Sequence, residues 1–244
     1  MNIYIPTCNS RIYLVEALLY SIKKYWYNFD SNKFTIVGYN EPQFNLPSNV
    51  IFESLGSDDN VQNWATDLKS YFQSVDDEYF VYMNDDCPIA DHIDTQIFNF
   101  FLGVINNNTD SKIGRIALTA SLVKDFPSHD HRVVQQYDDF DLIEKAQNSK
   151  YRLSTQFSIW NKKYLTMYMK ENMTPWDYEL QNSAMNDGWT ILGTNRKYCL
   201  DFYHLWRVYG VSKSWNFATF SKKKLSENNE DYNFITNVMN KNSE

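Results

Sequence analysis

Glycine is scarce in this chain, with seven in 244 residues, and none stands in a Gly-x-Gly-x-x-Gly or Gly-x-x-x-x-Gly-Lys arrangement. A backbone needs such glycines to approach a phosphate closely, so a Rossmann cradle and a P-loop are both excluded. A Gly-x-Ser-x-Gly elbow is missing as well, which leaves a Ser-His-Asp hydrolase without its nucleophile turn. The three cysteines, Cys8, Cys87 and Cys199, are odd in number, far apart and without zinc-like spacing; they read as free thiols in a reducing compartment. No apolar run approaches a membrane span and no signal-peptide pattern opens the chain. A soluble, cytoplasmic protein without integral membrane association is therefore expected. Positive charge is short too: 23 Lys and Arg against 30 Asp and Glu give a net charge of −7, which speaks against non-specific nucleic-acid binding over the whole surface. Nor is there an internal repeat, a linker or a composition break marking a second core.

Aromatic residues are plentiful instead, at 17%, with 18 Tyr, 16 Phe and 7 Trp. Rings that end in a polar group serve sugar and nucleobase sites, although most rings in any chain fill the core or its edge. Charge is unevenly placed. The stretch from Asp58 to Glu144 is rich in acids, while Arg196, Lys197, Arg207, Lys213, Lys222, Lys223 and Lys224 gather late. Such a basic cluster is either a solvated face or a means of neutralising a diphosphate or a polyanionic acceptor.

The richest segment is Glu78-Tyr79-Phe80-Val81-Tyr82-Met83-Asn84-Asp85-Asp86-Cys87-Pro88. Five apolar or aromatic residues in a row read as a buried strand of a parallel sheet. The strand runs into paired carboxylates and stops at a proline, which cannot continue a ladder. Open α/β sheets bind ligands at the carboxyl ends of such strands. Two adjacent anions there repel each other and lose hydration, so a positive partner is required, and a divalent cation carrying a phosphorylated substrate is the economical one.

Around this segment, hydrophobic runs and helical periodicity alternate. Met1–Ile5, Phe34–Tyr39, Val50–Leu55 and Tyr79–Met83 read as strands. A helix capped by Asn9 or Ser10 buries Val15, Leu18, Leu19 and Ile22, and a second over Val61–Val75 turns Val61, Trp64, Leu68 and Phe72 inward. Further on come a helix at Ile93–Ile105, a strand at Ile113–Thr119, and a weakly periodic excursion over 120–150 with a short helix at Asp141–Gln147. Tyr151–Trp160 reads as a strand passing into a helix at Asn161–Lys170, and Tyr198–His204 as the last strand. Thr174-Pro175-Trp176-Asp177 opens a helix with a Thr cap, Pro at its first position and an acid three residues after the cap. The pattern predicts an α/β domain over residues 1–225, with a mostly parallel central sheet and helices on both faces, then a C-terminal helix or tail over 226–244.

Asn84-Asp85-Asp86 after a buried strand resembles the aspartate motif of the GT-A glycosyltransferases, in particular family-2-like enzymes of bacteria and viruses. The resemblance implies a GT-A type single domain, with a nucleotide-sugar-binding half over 1–119 and an acceptor half over 120–225. It also implies a Mn²⁺ or Mg²⁺ ion on the donor. The usual motif has acids at alternate positions, and here Asn84 stands at the first. Asp86 is then the implied direct metal ligand, with Asn84 and Asp85 supporting the donor. Ile5-Pro6-Thr7-Cys8-Asn9-Ser10-Arg11 resembles the first nucleotide-holding loop and marks Pro6, Thr7, Asn9 and Arg11 as donor contacts. Gly56-Ser57-Asp58-Asp59-Asn60, with Asn63 and Trp64 following, resembles the second and marks Asp58 and Asn63. In such enzymes a late histidine completes the metal shell, which implies His204, with Arg207 or Lys213 against the diphosphate.

On the acceptor side, Gln156-Phe157-Ser158-Ile159-Trp160 followed by Thr174-Pro175-Trp176-Asp177-Tyr178-Glu179 is similar to an aromatic strand and Pro-Trp-x-x-Glu helix start of that group, where an acid serves as general base. Asp177 and Glu179 are two apart on a helix and point to different faces. Asp177 has a structural job as capping-box partner of Thr174 and Glu179 has none, so Glu179 is the expected base and Asp177 the second choice. Gln156 and Trp176 become acceptor contacts.

The expected function is a metal-dependent, inverting glycosyltransferase that moves a sugar from a UDP-linked donor to a saccharide hydroxyl. Three other readings compete. A phage-type DNA glycosyltransferase acting on a hydroxymethylated pyrimidine suits the Asn- and Lys-rich composition and the late basic cluster, but not the net acidity. A non-catalytic nucleotide-sugar-binding module is permitted by Asn84. A nucleotidyltransferase shares the sheet and metal logic, yet needs a glycine-rich, basic first loop, and Pro6-Thr7-Cys8-Asn9 is neither. The sequence carries no indication of oligomeric state.

Overall fold

The computed structural model describes residues 1–57, 59–108, 112–119, 131–181, 185–203 and 228–241, together with 205 and the backbone of 206–207 and 215–217. Strands β1 (Ile3–Pro6), β2 (Phe34–Gly38), β3 (Val50–Ser54) and β4 (Tyr79–Tyr82) are parallel and lie in the order β3-β2-β1-β4. β1 and β2 are buried at every position, as inner parallel strands must be; β3 lies at the sheet edge and is largely open to solvent. The crossovers are α1 (Leu14–Tyr25), between β1 and β2, and α2 (Trp64–Ser74), between β3 and β4.

Both helices begin later than their periodicity predicts. The residue capping α1 is Tyr13, which makes no side-chain cap bond. Asn9 and Ser10 stay in the loop, where the Asn9 backbone N–H donates to Asp59 Oδ2 (2.7 Å) and Asn9 Oδ1 accepts from the Asn40 N–H (2.9 Å). A 3-10 turn at Val61–Asn63 precedes α2, and Asn60 Oδ1 accepts there from the Gln62 N–H (3.0 Å).

The rest of the sheet is mixed, which corrects the mostly parallel expectation. β5 (Ile113–Ala117), β6 (His131–Gln136), β7 (Asp141–Lys145), β8 (Ser158–Asn161) and β9 (Thr190–Asn195) complete the order β3-β2-β1-β4-β8-β5-β9-β7-β6. β8 is antiparallel to both β4 and β5, and β7 to both β9 and β6; β5 and β9 are parallel. An antiparallel neighbour needs no crossover helix, and β8 joins both β4 and β5 in this sense. Asp141–Lys145 is thus a strand rather than a helix: two adjacent apolar residues, Leu142 and Ile143, suit either state, and pairing with β9 decides. Within Tyr198–Tyr203 only Phe202 makes a ladder contact, a single bridge to Ile89. β10 (Leu205–Arg207) and β11 (Trp215–Phe217) form a separate antiparallel ribbon.

Alternation along the strands builds a core on each face. Ile3, Ile5, Ile36, Val81 and Ile159 meet Val15, Leu18 and Ile22 of α1 and Ile97 and Phe101 of α3 (Thr95–Asn106). Tyr4, Phe80, Tyr82 and Trp160 face the other way, onto Leu68 and Phe72 of α2, Tyr164 of α4 (Lys162–Met167) and Tyr178 of α5 (Pro175–Gln181). Helices thus cover both faces, as expected. Phe72 and Phe80 stack with centroids 4.5 Å apart. Gly114 of β5 is required by Tyr164: a Cβ at that position would lie 2.5 Å from the ring's Cγ.

The C-terminal segment is a docked helix, α6 (Asn229–Lys241), packed on α1. Its buried Asp231 accepts from the hydroxyls of Tyr25 (2.5 Å) and Tyr203 (3.2 Å), from Asn228 Nδ2 (3.0 Å) and from Lys24 Nζ (2.8 Å). No helix among the described residues is long and apolar enough to cross a membrane.

Candidate active site

Strands β1 to β4 end at one edge of the sheet. From β1 the chain builds outward to β2 and β3 on one side, while β4 lies on the other, and such a switch point is where open sheets hold ligands. A cavity of about 480 Å³ opens there, within the range of small-molecule sites. The loop after β1 supplies Pro6, Thr7 and Arg11, the end of β2 supplies Tyr39, and the loop after β3 supplies Leu55, Asp59 and Asn60. Val61 and Trp64 line it as well; Tyr82, Asn84 and Asp85 come from the end of β4, and Thr155, Pro175 and Trp176 complete it.

The positive partner that the two aspartates require is Arg11. Parallel pairing of β1 with β4 sets Tyr4 opposite Tyr82, so the loops that follow the two strands lie side by side. Arg11 Nη2 bridges Asp85 Oδ1 and Asp86 Oδ2, the latter at 2.7 Å. Thr7 Oγ1 donates to the other Asp85 oxygen at 2.8 Å. Burial pushes the Asp85 carboxyl up, to about 6, with Arg11 pulling the other way, and the two acids hold the guanidinium above its ordinary range. Asn84 brings a different property: its Oδ1 is buried and finds no donor among the described residues, so this cavity-lining residue has an acceptor left for a ligand.

Among the described residues the donor set does not suit a divalent cation. Among the described residues no three His, Cys, Asp or Glu side chains come together, and the acid pair is already spanned by Arg11. Asp86, expected as the direct metal ligand, pairs with that guanidinium. Asp85, expected to support the donor, is buried between Thr7 and Arg11. His204 and Asp58 lie outside the described residues, as does the side chain of Arg207.

The expectation that Glu179 has no structural job is corrected. The Thr155 N–H (2.5 Å) and hydroxyl (2.9 Å) both donate to Glu179 Oε1. Thr155 lines the cavity and Glu179 stands behind it. Asp177 is the capping-box acid, accepting from the Thr174 N–H (3.1 Å) and hydroxyl (2.6 Å); these bonds hold its carboxyl below the usual range, and it does not line the cavity. Arg115 is fully buried near this wall, donating from Nε to Ser158 Oγ at 2.8 Å. Burial lowers its guanidinium to about 10, with the Glu179 charge pulling upward.

Of the donor contacts expected, Pro6, Thr7, Arg11, Asn84 and Asp85 line the cavity; Asn9 and Asn63 do not, and Asn60 takes the place expected of Asn63. On the acceptor side Trp176 lines it, while Gln156 does not and keeps a buried Oε1 without a partner. Tyr39, Tyr82 and Thr155 are additions. Each has a sequence signal: the two tyrosines end buried strands, and Thr155 directly precedes Gln156.

No family model and no curated relative matches the chain. Among solved structures it is similar to S. aureus TarS 1–349, at 14% identity over 82% of this chain and 60% of that one, with a TM-score of 0.47. It is similar to the galactosyltransferase LgtC, in complex with donor and acceptor sugar analogs, at 11% identity over 68% of this chain and 60% of that one, TM-score 0.38. A cytidylyltransferase from Leptospira borgpetersenii serovar Hardjo-bovis is similar at 12% identity over 73% and 67%, TM-score 0.40. The chain spans about three fifths of the length of the TarS and LgtC structures. Likenesses at these TM-scores leave the chain's chemistry to be read from its own residues.

Proposed function

We propose that the chain is a glycosyltransferase that moves a sugar from a nucleotide diphosphate donor, UDP-linked, to a saccharide hydroxyl with inversion. The supporting observation is the cavity at the carboxyl ends of four parallel strands, which combines aromatic walls (Tyr39, Trp64, Tyr82) with a buried, unpartnered Asn84 Oδ1. Rings and a fixed acceptor suit a nucleoside. In this reading the acceptor oxygen attacks the anomeric carbon, the bond from that carbon to the diphosphate oxygen breaks, and the nucleoside diphosphate leaves. The acceptor proton passes to Glu179 through the Thr155 hydroxyl, which already donates to Glu179 Oε1. A single carboxylate on the acceptor side corresponds to one in-line displacement, hence inversion.

The test is a panel of UDP-sugars scored first by thermal shift and then by release of UDP with simple saccharide acceptors. Stabilisation by at least one UDP-sugar, with an inverted anomer seen by NMR, is the expected result. A retained anomer defeats the inverting step, and no stabilisation by any member of the panel defeats the donor assignment. A non-catalytic nucleotide-sugar-binding module is the second reading. It is favoured by the acids themselves: Asp85, Asp86, Asp177 and Glu179 are all engaged with partners inside the chain. Stabilisation without UDP release would select it.

A further inference from the structure

The place where a divalent cation is expected is already taken by a cation of the chain itself. Arg11 projects from the loop that follows β1, a loop fixed by the hydrogen bond from its own N–H to the Cys8 carbonyl (2.9 Å) and by the Leu14 N–H on its carbonyl (2.8 Å), at the entry to α1. Its Nη2 reaches one oxygen of each aspartate, and the remaining Asp85 oxygen is taken by Thr7. The remaining Asp86 oxygen faces the Cys87 thiol at 3.4 Å. The contact is built into the sheet by the adjacency of β1 and β4 and is largely shielded: side-chain exposure is 6% for Asp85, 16% for Asp86 and 28% for Arg11. A divalent ion would need those same carboxylate oxygens at about 2.0–2.6 Å, within a few ångströms of a guanidinium that does not give up its charge. Taking Arg11 off either carboxylate would leave that shielded anion without its charge partner.

We infer that the Asp85–Asp86 pair holds Arg11 in the place of a divalent metal ion, as a fixed positive charge at the cavity edge, and that the chain grips its phosphorylated donor without such an ion. The second half rests on the nucleotide-diphosphate reading above; the first half does not. Arginine suits the role because its guanidinium keeps its charge beside the two acids.

The experiment uses the full chain and UDP as probe. Uptake of Mn²⁺ is followed by loss of the free-ion EPR signal, with and without UDP. Wild type is expected to show no saturable Mn²⁺ uptake that depends on Asp86; saturable uptake that disappears in Asp86→Asn overturns the inference. UDP affinity, from melting shifts, is expected to agree within about twofold between EDTA and Mn²⁺. A tenfold or greater loss in EDTA also overturns it. In EDTA, Arg11→Met is expected to weaken UDP at least tenfold, with Arg11→Lys, which keeps the charge, in between; UDP affinity unchanged in both variants overturns the phosphate role. Should UDP bind under neither condition, the nucleotide reading fails, and the Mn²⁺ uptake of wild type against Asp86→Asn still decides which cation the acids hold.

Discussion

Thr155 gives both of its donors to one oxygen: its backbone N–H at 2.5 Å and its hydroxyl at 2.9 Å converge on Glu179 Oε1. That pair ties the segment before β8 to α5 and sets a carboxylate one hydrogen bond behind the cavity wall. Glu179→Gln keeps an acceptor oxygen for the N–H but loses the base. We expect a fall in transfer rate of about 10²–10⁴-fold, with UDP affinity within twofold of wild type. Thr155→Val breaks the path from cavity to carboxylate and should behave alike, while Thr155→Ser restores most of the rate. Steady-state rates beside UDP melting shifts check this. Equal loss of UDP affinity and thermal stability in Glu179→Gln, with the rate per folded molecule intact, would reduce the pair to a brace.

The docking of α6 depends on Asp231. Five donors, from Tyr20, Lys24, Tyr25, Tyr203 and Asn228, end on this one buried carboxylate. Asp231→Ala strands them and leaves Lys24 with Glu230 alone, a loss of roughly 1–3 kcal/mol for buried donors left unsatisfied. Chemical denaturation should register that drop, and limited proteolysis should cut within 228–241 well before the rest of the chain. Leu14, Ala17 and Val238, buried in the same helix contact, are left exposed when the helix releases.

Half of the fold is legible in the sequence, for a physical reason. β1 to β4 and their crossover helices are local statements: an apolar run between turn residues, or a 3.6-residue stripe, holds whatever packs against it. β7 is not local. Its Leu142-Ile143 pair becomes a strand only because Ile143 lies opposite Gly193 of β9. The site divides in the same way. The motif at Asn84-Asp85-Asp86 and the loop at Pro6 to Arg11 are each visible alone, but their union through Arg11 joins residues 74 positions apart and has no local signature. Parity explains the misplacement of Gln156: successive residues near a strand face opposite ways, and Thr155 rather than its neighbour reaches the cavity.

Lys145 should give the stability of this protein a pH dependence. It is buried beside Arg115 and Arg152, and desolvation with their two like charges lowers its ammonium to about 7, from an ordinary 10.5. The folded state therefore binds this proton less readily than the unfolded one, so its contribution to stability is full above about 10.5 and is lost as pH falls toward 7. Lys145→Met has no proton to bind. The melting-temperature difference between Lys145→Met and wild type should then grow in favour of the variant as pH drops from 10.5 to 7, and level off below. Using the slope rather than one value separates titration from the lost hydrogen bond to the Tyr151 carbonyl (3.2 Å). A difference constant with pH would show that Lys145 keeps its proton in the fold.

Trp176 bears on the acceptor. It opens α5 at the cavity mouth and is 51% exposed, and Leu180, one turn further, is 58% exposed. Two large apolar side chains four residues apart share a helix face, and a bare indole there serves no core. An indole face is a good partner for the apolar face of a pyranose, as aromatic surfaces contribute about 0.5–1.5 kcal/mol beyond area burial. Trp176→Ala should accordingly raise the acceptor KM by about three- to tenfold, with kcat, UDP affinity and melting temperature close to wild type, and Trp176→Phe should fall between. Acceptor titration at saturating donor measures this directly. If instead the melting temperature drops by several degrees while KM holds, the indole packs rather than binds.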